Sequence, residues 1–201
     1  MSPLRLRIFV IGLWILACCA PVPAQERMPE GWDRYLGQPR GPYRGRVVDA
    51  ETKAPLVGAV VVALWRHDRV YPFQVNSERY AVRETITGSD GRFVMEARDI
   101  EEGAPRRTRK PEFLIFLPGY GTFPYRYASP KGFIAEIFHG PGRTVELTPL
   151  HKREDRLDNL SYALPHSFSD KPHRDLPSLM KSVDAERLAV GLSPYPPPEK
   201  E

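Results

Sequence analysis

An almost continuous apolar run between residues 58 and 65 is the clearest structural signal in the chain. It reads Gly-Ala-Val-Val-Val-Ala-Leu-Trp, and its β-branched enrichment, with a glycine at its start, favours a strand over a helix. A strand without polar positions is covered on both faces. The run therefore predicts a central strand with a packing partner on each side.

Shorter strands are predicted on both sides of this run. Residues 44–49, 113–117 and 143–147 are strand-like and bounded by turn residues. Residues 84–87 and 92–97 alternate around Gly-Ser-Asp-Gly, where Asp90-Gly91 can supply the positive φ of a tight hairpin. Strands at this spacing predict one antiparallel β-sandwich over residues 43–149.

Two stretches inside this region predict loops. Residues 66–83 are polar and aromatic, and they exceed the usual connection of ~4 to 6 residues. Residues 98–110 are charged and predict a second loop. Long loops on a rigid sandwich commonly carry binding residues, so 66–83 is the first place to look for a ligand contact.

The hydrophobic period changes after residue 148 and predicts a helical tail over 150–201. Thr148 can cap a helix with Pro149 at its first position, and leucines recur at helical spacing up to Leu164. A second amphipathic helix is predicted over 176–192. The prolines at 196–198 predict a disordered end.

The first residues have the pattern of an export signal. Arg5 and Arg7 precede an apolar run over 8–20 that is shorter than the ~20 residues a spanning helix needs. Cleavage before Cys18 would give a membrane-anchored bacterial lipoprotein lipidated at Cys18, and this alternative is slightly favoured. Cleavage after Ala24 would give a soluble periplasmic or secreted chain. Residues 1–24 are therefore predicted to be a signal peptide, and 25–42 a linker or arm.

Charge and cysteine content further limit the partners and the crosslinks that are expected for this protein. The formal charge is +4, and removing Arg5 and Arg7 with the signal leaves +2. The densest basic cluster, 106–110, lacks interleaved aromatics and favours a solvated loop, so nucleic acid is not expected as a partner. Cys18 and Cys19 are the two cysteines of the chain. With cleavage at either site, no intramolecular disulfide is expected in the domain.

Several spaced motifs resemble one known family. Residues 45–52 with 55–61, then Thr-Gly-Ser-Asp-Gly-Arg-Phe at 87–93 and Pro-Gly-Tyr at 118–120, resemble carboxypeptidase regulatory-like domains over residues 43–149. The resemblance implies a transthyretin-like Greek-key sandwich of about seven strands without a catalytic apparatus. Gly88 departs from the Asp or Asn usual there, and the 66–83 segment is an insertion. The landmarks also have structural roles: Gly58 and Gly91 suit turns, and Leu56 and Phe93 suit the core.

No sequence motif indicates catalysis, and no enzyme activity or cofactor is expected. A nucleophile elbow, a phosphate-binding Gly-Lys loop and a His-Glu-x-x-His motif are all missing from the sequence. His166, Asp170 and His173 form the densest ligand-like group, but prolines flank them and the stretch favours a loop. No metal site is therefore expected.

Two functions fit these observations. The first is a non-catalytic exported envelope protein that acts as a structural or protein-interaction module. The alternative is a carbohydrate-binding module that stacks sugars on loop aromatics, for which Tyr71, Phe73, Tyr125 and Tyr127 are the candidate contacts. The expected partner is thus a protein or a glycan, together with a membrane if a lipid anchor is present.

Overall fold

Strands dominate the computed structural model, which describes residues 41–105, 107–125, 138 and 142–197, all within one unit of the chain. Cys18, Tyr127, the predicted signal and most of the predicted arm lie outside the described residues, as does the chain end from 198. Six strands and four α-helices occur in the described part: β1 Tyr43–Asp49, β2 Val60–Tyr71, β3 Gln74–Ile86, β4 Arg92–Met95, α1 Arg98–Glu102, β5 Glu112–Phe116, β6 Arg143–Leu147, α2 Arg153–Leu160, α3 Pro172–Asp175 and α4 Pro177–Ala189.

The strands form two three-stranded sheets. The first has the order β4-β1-β6 and the second the order β3-β2-β5. All pairings are antiparallel except that of β1 with β6, which is parallel. The prediction of a mainly-β fold with two packed sheets is confirmed at this level.

Strand β2 has a packing partner on each face, as its apolar sequence predicted. Its odd-numbered positions from 61 to 65, and Ala59 just before it, join the core between the two sheets, together with Leu56 and Phe93. Its even-numbered positions from 60 to 64 pack against apolar residues of the helical tail. The alternation follows from the two-residue period of a strand. The tail thus packs on the outer face of the second sheet within the same chain.

Hydrogen bonds to two polar side chains, one buried and one half-buried, fix the tail to the sandwich. Asn159 accepts a hydrogen bond from the amide of Thr122 at 2.7 Å and donates one to the carbonyl of Tyr120 at 3.0 Å. The Glu84 carboxylate of β3 accepts the first amides of α4, from Ser178 at 2.7 Å and Leu179 at 3.0 Å. A carboxylate at a helix N-terminus satisfies free N–H groups and complements the helix dipole. These hydrogen bonds therefore define one position of the tail on the sandwich.

The prediction that 66–83 is a loop is wrong. These residues continue β2 and β3 into one long hairpin, with a two-residue turn at Pro72 and Phe73. The distal strands lack apolar alternation because solvent lies on both faces, so the pattern resembles that of a loop. Cross-strand pairs such as Arg69 with Glu78, at 2.9 Å, stabilise them instead.

The predicted hairpin between 84–87 and 92–97 is also wrong, although its turn exists. Gly91 has φ +73°, and its amide donates to the carbonyl of Gly88 at 2.9 Å. The strands on either side, however, enter different sheets: β3 pairs with β2, and β4 pairs with β1. Asp-Gly thus marks a reversal of direction, and it does not determine which strand each side pairs with.

The boundaries of two other segments need correction. The predicted loop 98–110 contains α1, whose Glu101 carboxylate binds the Tyr43 hydroxyl and the Trp65 indole N–H at 2.5 and 3.1 Å. The first tail helix begins at Arg153, without capping by Thr148, because Pro149 forms a β-bridge with Tyr120. The second predicted tail helix is present as α4.

Candidate functional site

The far end of the β2–β3 hairpin is the candidate binding element. The register pairs Arg66 with Arg79 and ends with Tyr71 opposite Gln74. We call residues 66–79 the distal hairpin. A bulge between Trp65 and Arg66 separates it from the inner part of the strands, and bulges increase the local twist and redirect a strand. The distal hairpin extends past β5, whose pairing with β2 ends at Leu64.

The base of the distal hairpin is firmly held. Asp68, whose side chain is buried, accepts Nε and Nη2 of Arg109, both at 2.9 Å. The backbone adds two bonds: the amide of Arg109 donates to the carbonyl of Arg66 at 2.7 Å, and the amide of Asp68 to that of Arg107 at 3.2 Å. Both nitrogens contact the same oxygen, Oδ2, and hydrogen bonds between ionised groups are stronger than neutral ones. The base of the hairpin is therefore attached to residues 107–109, and the far end extends outward from this attachment.

The tip of the distal hairpin is apolar and open to solvent. Val70 lies opposite Val75 across the strands, and both are exposed. Tyr71 is 43% exposed, and Phe73, in the turn, is 101% exposed. Val70 and Val75 share one face of the hairpin and Tyr71 lies on the other, so exposed apolar side chains occur on both faces beside the turn. Single exposed apolar residues are ordinary on protein surfaces, whereas several at one end of an element indicate a contact surface. We call Val70, Tyr71, Phe73 and Val75 the apolar tip.

The four aromatic residues predicted to contact a sugar do not form one platform. Tyr71 and Phe73 lie at the apolar tip, whereas Tyr125 stacks on Tyr162 with ring centroids 4.7 Å apart and 16° between the planes. Tyr125 also interacts electrostatically with Glu112, which pairs with Leu64. Along β2, Leu64 is about 23 Å from Tyr71 at ~3.3 Å per residue. Tyr127 lies outside the described residues.

Burial raises the pKa of the Tyr125 hydroxyl, and the nearby Glu112 carboxylate raises it further. The phenol therefore remains neutral at physiological pH and keeps its proton for hydrogen bonding. One face of the Tyr125 ring is already covered by Tyr162. This stacked pair is consequently a packing feature of the sandwich–tail boundary that leaves less ring surface for a ligand.

Sequence reasoning missed three residues of these surfaces. Val70 and Val75 belong to the apolar tip, and Tyr162 is the stacking partner of Tyr125. The two valines lie two residues on either side of the Pro72–Phe73 turn, at the paired positions of a two-residue hairpin. Interpreting residues 66–83 as two strands would have identified both valines, because β-branched residues that flank a short turn indicate a hairpin.

The predicted ligand-like group of the tail is used for packing and ion pairing. His166 meets the Tyr195 ring edge-on with centroids 5.4 Å apart, and Asp170 pairs with Arg79 of the distal hairpin. Among the described residues, no three His, Cys, Asp or Glu side chains converge as metal ligands. In the same part of the chain, no helix has the length and apolarity needed to cross a membrane.

Comparisons with known proteins give no family for this chain. No protein-family model matches it, and no curated protein matches it. Among solved structures, a 9R-lipoxygenase from Cyanothece PCC8801 is similar over 45% of this chain and 12% of its own length, at 14% identity and a TM-score of 0.22. A likeness this low carries no argument about fold or activity.

Proposed function

We propose that this chain is an exported, non-catalytic interaction module whose distal hairpin binds a protein partner in the cell envelope. The observation that carries the proposal is the apolar tip: four apolar side chains held in solvent at the end of a supported hairpin. Burying such groups against a partner is favourable, at ~25 cal/mol per Å² of apolar surface.

The module is proposed to be a carboxypeptidase regulatory-like sandwich of the transthyretin-like Greek-key type. Two packed sheets support this assignment, and so do the positions of the motif residues. Leu56 and Phe93 are in the core, and Gly58, Gly91 and Gly119 all have positive φ. The described residues contain six strands. The seventh strand of the expected pattern is proposed at the bridge between Ile115 and Phe123, beside β5.

A protein partner is favoured over a glycan by the chemistry of the apolar tip. Sugar platforms combine flat rings with convergent polar groups. Here valines flank the aromatic residues, and aliphatic groups beside an aromatic anchor suit an apolar pocket on a protein. Tyr125, the third described candidate ring, is stacked on Tyr162 at a separate place.

Position-specific crosslinking in the native host tests the hairpin. A photoreactive amino acid at Phe73 is expected to give one discrete protein adduct. The matched control is Leu188, which is 60% exposed on the tail helix α4, and it should not give that adduct. Val75→Thr should weaken the Phe73 adduct without changing the melting temperature. The same adduct from both positions, or none from Phe73, would contradict the proposal, and a glycan adduct at Phe73 would support the alternative.

Export is tested separately by the intact mass of the protein after detergent extraction from its host. A chain that begins at Cys18 and carries diacylglycerol and acyl mass would establish a lipoprotein. A chain that begins at Gln25 without added mass would establish a soluble exported form. A chain that retains Met1 and its full leader would refute export by cleavage.

A further inference from the structure

A groove runs along the outer edge of the second sheet. β3 is an edge strand in the order β3-β2-β5, and residues 79–83 of this strand line a groove of about 410 Å³. Ile100 of α1 and Asp175 of α3 also line it, as its two walls. The floor is thus a stretch of edge strand, a surface to which an extended chain can add as a further strand.

The outer backbone groups of this edge have no partner within the described part of the chain. The amide of Thr87 donates to the carbonyl of Ala59 at 2.9 Å, so the Thr87 amide points toward β2. Successive strand residues direct their N–H and C=O groups to alternate sides, and those of Val82 and Glu84 therefore point away from β2. Among the described residues, no backbone group pairs with them on that outer side. An unpaired edge is a template for another strand.

The predicted N-terminal arm joins the domain beside this groove. The amide of Gly41 donates to Oε2 of Glu101 at 2.8 Å, and the other carboxylate oxygen accepts Nε1 of Trp65 at 3.1 Å. Glu101 directly follows the α1 residue that forms a groove wall, and Trp65 is the cross-strand partner of Ala81 in the groove floor. From this point residues 37–40 can extend about 13 Å, at ~3.3 Å per residue.

The two walls of the groove differ in charge. Ala81 and Ile100 both pack against the core between the sheets, and Arg83 shares the face of Ala81 because it lies two residues further along the strand. Val82 lies on the opposite face, where it packs against the tail, and Asp175 belongs to that tail. The α1 side therefore combines an apolar residue with a positive charge, and the α3 side combines one with a negative charge.

Residues 33–36 of the arm have the complementary pattern. They read Asp-Arg-Tyr-Leu and belong to the same compact unit as the sandwich. In an extended segment, Asp33 and Tyr35 share one face, and Arg34 and Leu36 share the other. Each face therefore offers one charged side chain and one large apolar or aromatic side chain. A glycine and a proline follow within three residues, as is typical after a strand.

We propose that residues 33–36 add to β3 as a further edge strand, with Asp33 on the α1 side and Arg34 on the α3 side. Each charge of the segment then faces the opposite charge of Arg83 or Asp175. A shift by one residue would exchange the two faces and bring like charges together. Because Arg83 and Asp175 already pair with neighbouring side chains, the charges select the face of the segment more than they add affinity.

The arm of the same chain is favoured over a second copy because a short tether gives it a millimolar effective concentration at the groove. Docking would also shorten the tether between the sandwich and any lipid anchor at Cys18, which limits how far the distal hairpin extends from a membrane. The inference goes beyond the proposed function, since it requires no partner at the apolar tip.

Nuclear magnetic resonance of the full chain tests the inference. Backbone NOEs are expected between residues 33–36 and 82–84, and the amides of Val82 and Glu84 should be protected from hydrogen exchange. The double variant Asp33→Pro, Arg34→Pro removes two consecutive N–H donors, one of which must face β3 in a paired strand. In this variant the NOEs should disappear, and both amides should exchange at least about tenfold faster.

The matched control is Glu26→Pro, Arg27→Pro, which places the same two prolines over the same charge pair elsewhere in the arm. It should retain the NOEs and change both exchange rates by less than about twofold. Absent NOEs with fast exchange in the unmodified chain would overturn the proposal, and so would equal acceleration in the two double variants. Protection that rises with protein concentration and persists in the Asp33→Pro, Arg34→Pro variant would also overturn it, because a second copy would then cover the edge.

Discussion

Arg156 of α2 donates Nε and Nη2 to the two carboxylate oxygens of Glu186 on α4, at 2.7 and 2.6 Å. Glu186 is 1% exposed, and it also accepts the amide of Gly119 at 2.9 Å. The pair holds two tail helices together and binds both to the turn after β5. Glu186 also holds the pKa of the Arg156 guanidinium above its ordinary value, so the guanidinium keeps its positive charge.

Glu186→Ala is expected to lower the free energy of unfolding by about 3 to 5 kcal/mol, because it leaves the Arg156 guanidinium and the Gly119 amide without their buried partner. Chemical denaturation followed by tryptophan fluorescence measures the loss. Glu154→Ala, in the exposed first turn of α2, should cost less than about 0.5 kcal/mol. Equal effects of the two variants would show that the buried pair does not secure the tail.

The loss of folding stability at acid pH should depend on Asp49. Its pKa is lowered from the ordinary value of 3.8, first by the amide of Thr52 and further by the amide of Glu51 and the hydroxyl of Tyr120. A lowered folded-state pKa gives stability that is present above pH 3.8 and is lost as pH falls through the folded-state value. Asp49→Asn should therefore cost about 1 to 2 kcal/mol at neutral pH, and the cost should shrink below pH 3.8.

The exposed neighbour Glu51 provides the control, since Glu51→Gln changes the same charge without removing the contacts of Asp49. Denaturation midpoints are measured from pH 7 to acid pH. At neutral pH, Glu51→Gln should leave the midpoint nearly unchanged. A cost of Asp49→Asn that stays constant across the acid range would mean that the contacts do not depend on ionisation of the carboxylate.

Two glycines offer a matched test of backbone approach. Gly58 and Gly142 have φ values of +79° and +76°, but a Cβ at Gly58 would meet nothing within 4 Å. Gly58→Ala should cost about 1 kcal/mol from the left-handed conformation alone. Gly142→Ala must also displace the Arg44 carbonyl and should cost at least about 3 kcal/mol. Thermal unfolding of both variants compares them, and equal costs would contradict the close contact of β6 with β1.

The Glu84 carboxylate should stabilise the start of α4. Glu84→Gln removes the charge that faces the amides of Ser178 and Leu179, and we expect a loss of about 1 kcal/mol. Glu78→Gln on the same strand breaks an exposed pair with Arg69, for which we expect less than about 0.5 kcal/mol. Hydrogen exchange of the first α4 amides should accelerate in the Glu84 variant, and an unchanged rate would argue against this capping role.

Local sequence determined the elements whose burial pattern is regular. The 58–65 run specifies a strand covered on both faces, because every position is apolar and each face must then be buried. The second tail helix was predictable for the same reason, since its apolar residues repeat at helical spacing around Leu179, Met180 and Val183. Turn positions such as Gly58 and Gly91 were also predictable, because few other residues adopt positive φ.

Tertiary structure alone decided which segments meet. The distal hairpin escaped prediction because its solvent-facing strands carry no hydrophobic period, and the Asp90-Gly91 turn could not reveal that β3 and β4 enter different sheets. For the same reason Tyr71 and Tyr125 looked equivalent in sequence but occupy separate places. Arg46 and Arg92 show the limit most clearly: they are far apart in sequence, and only the pairing of β1 with β4 places them opposite each other on one face.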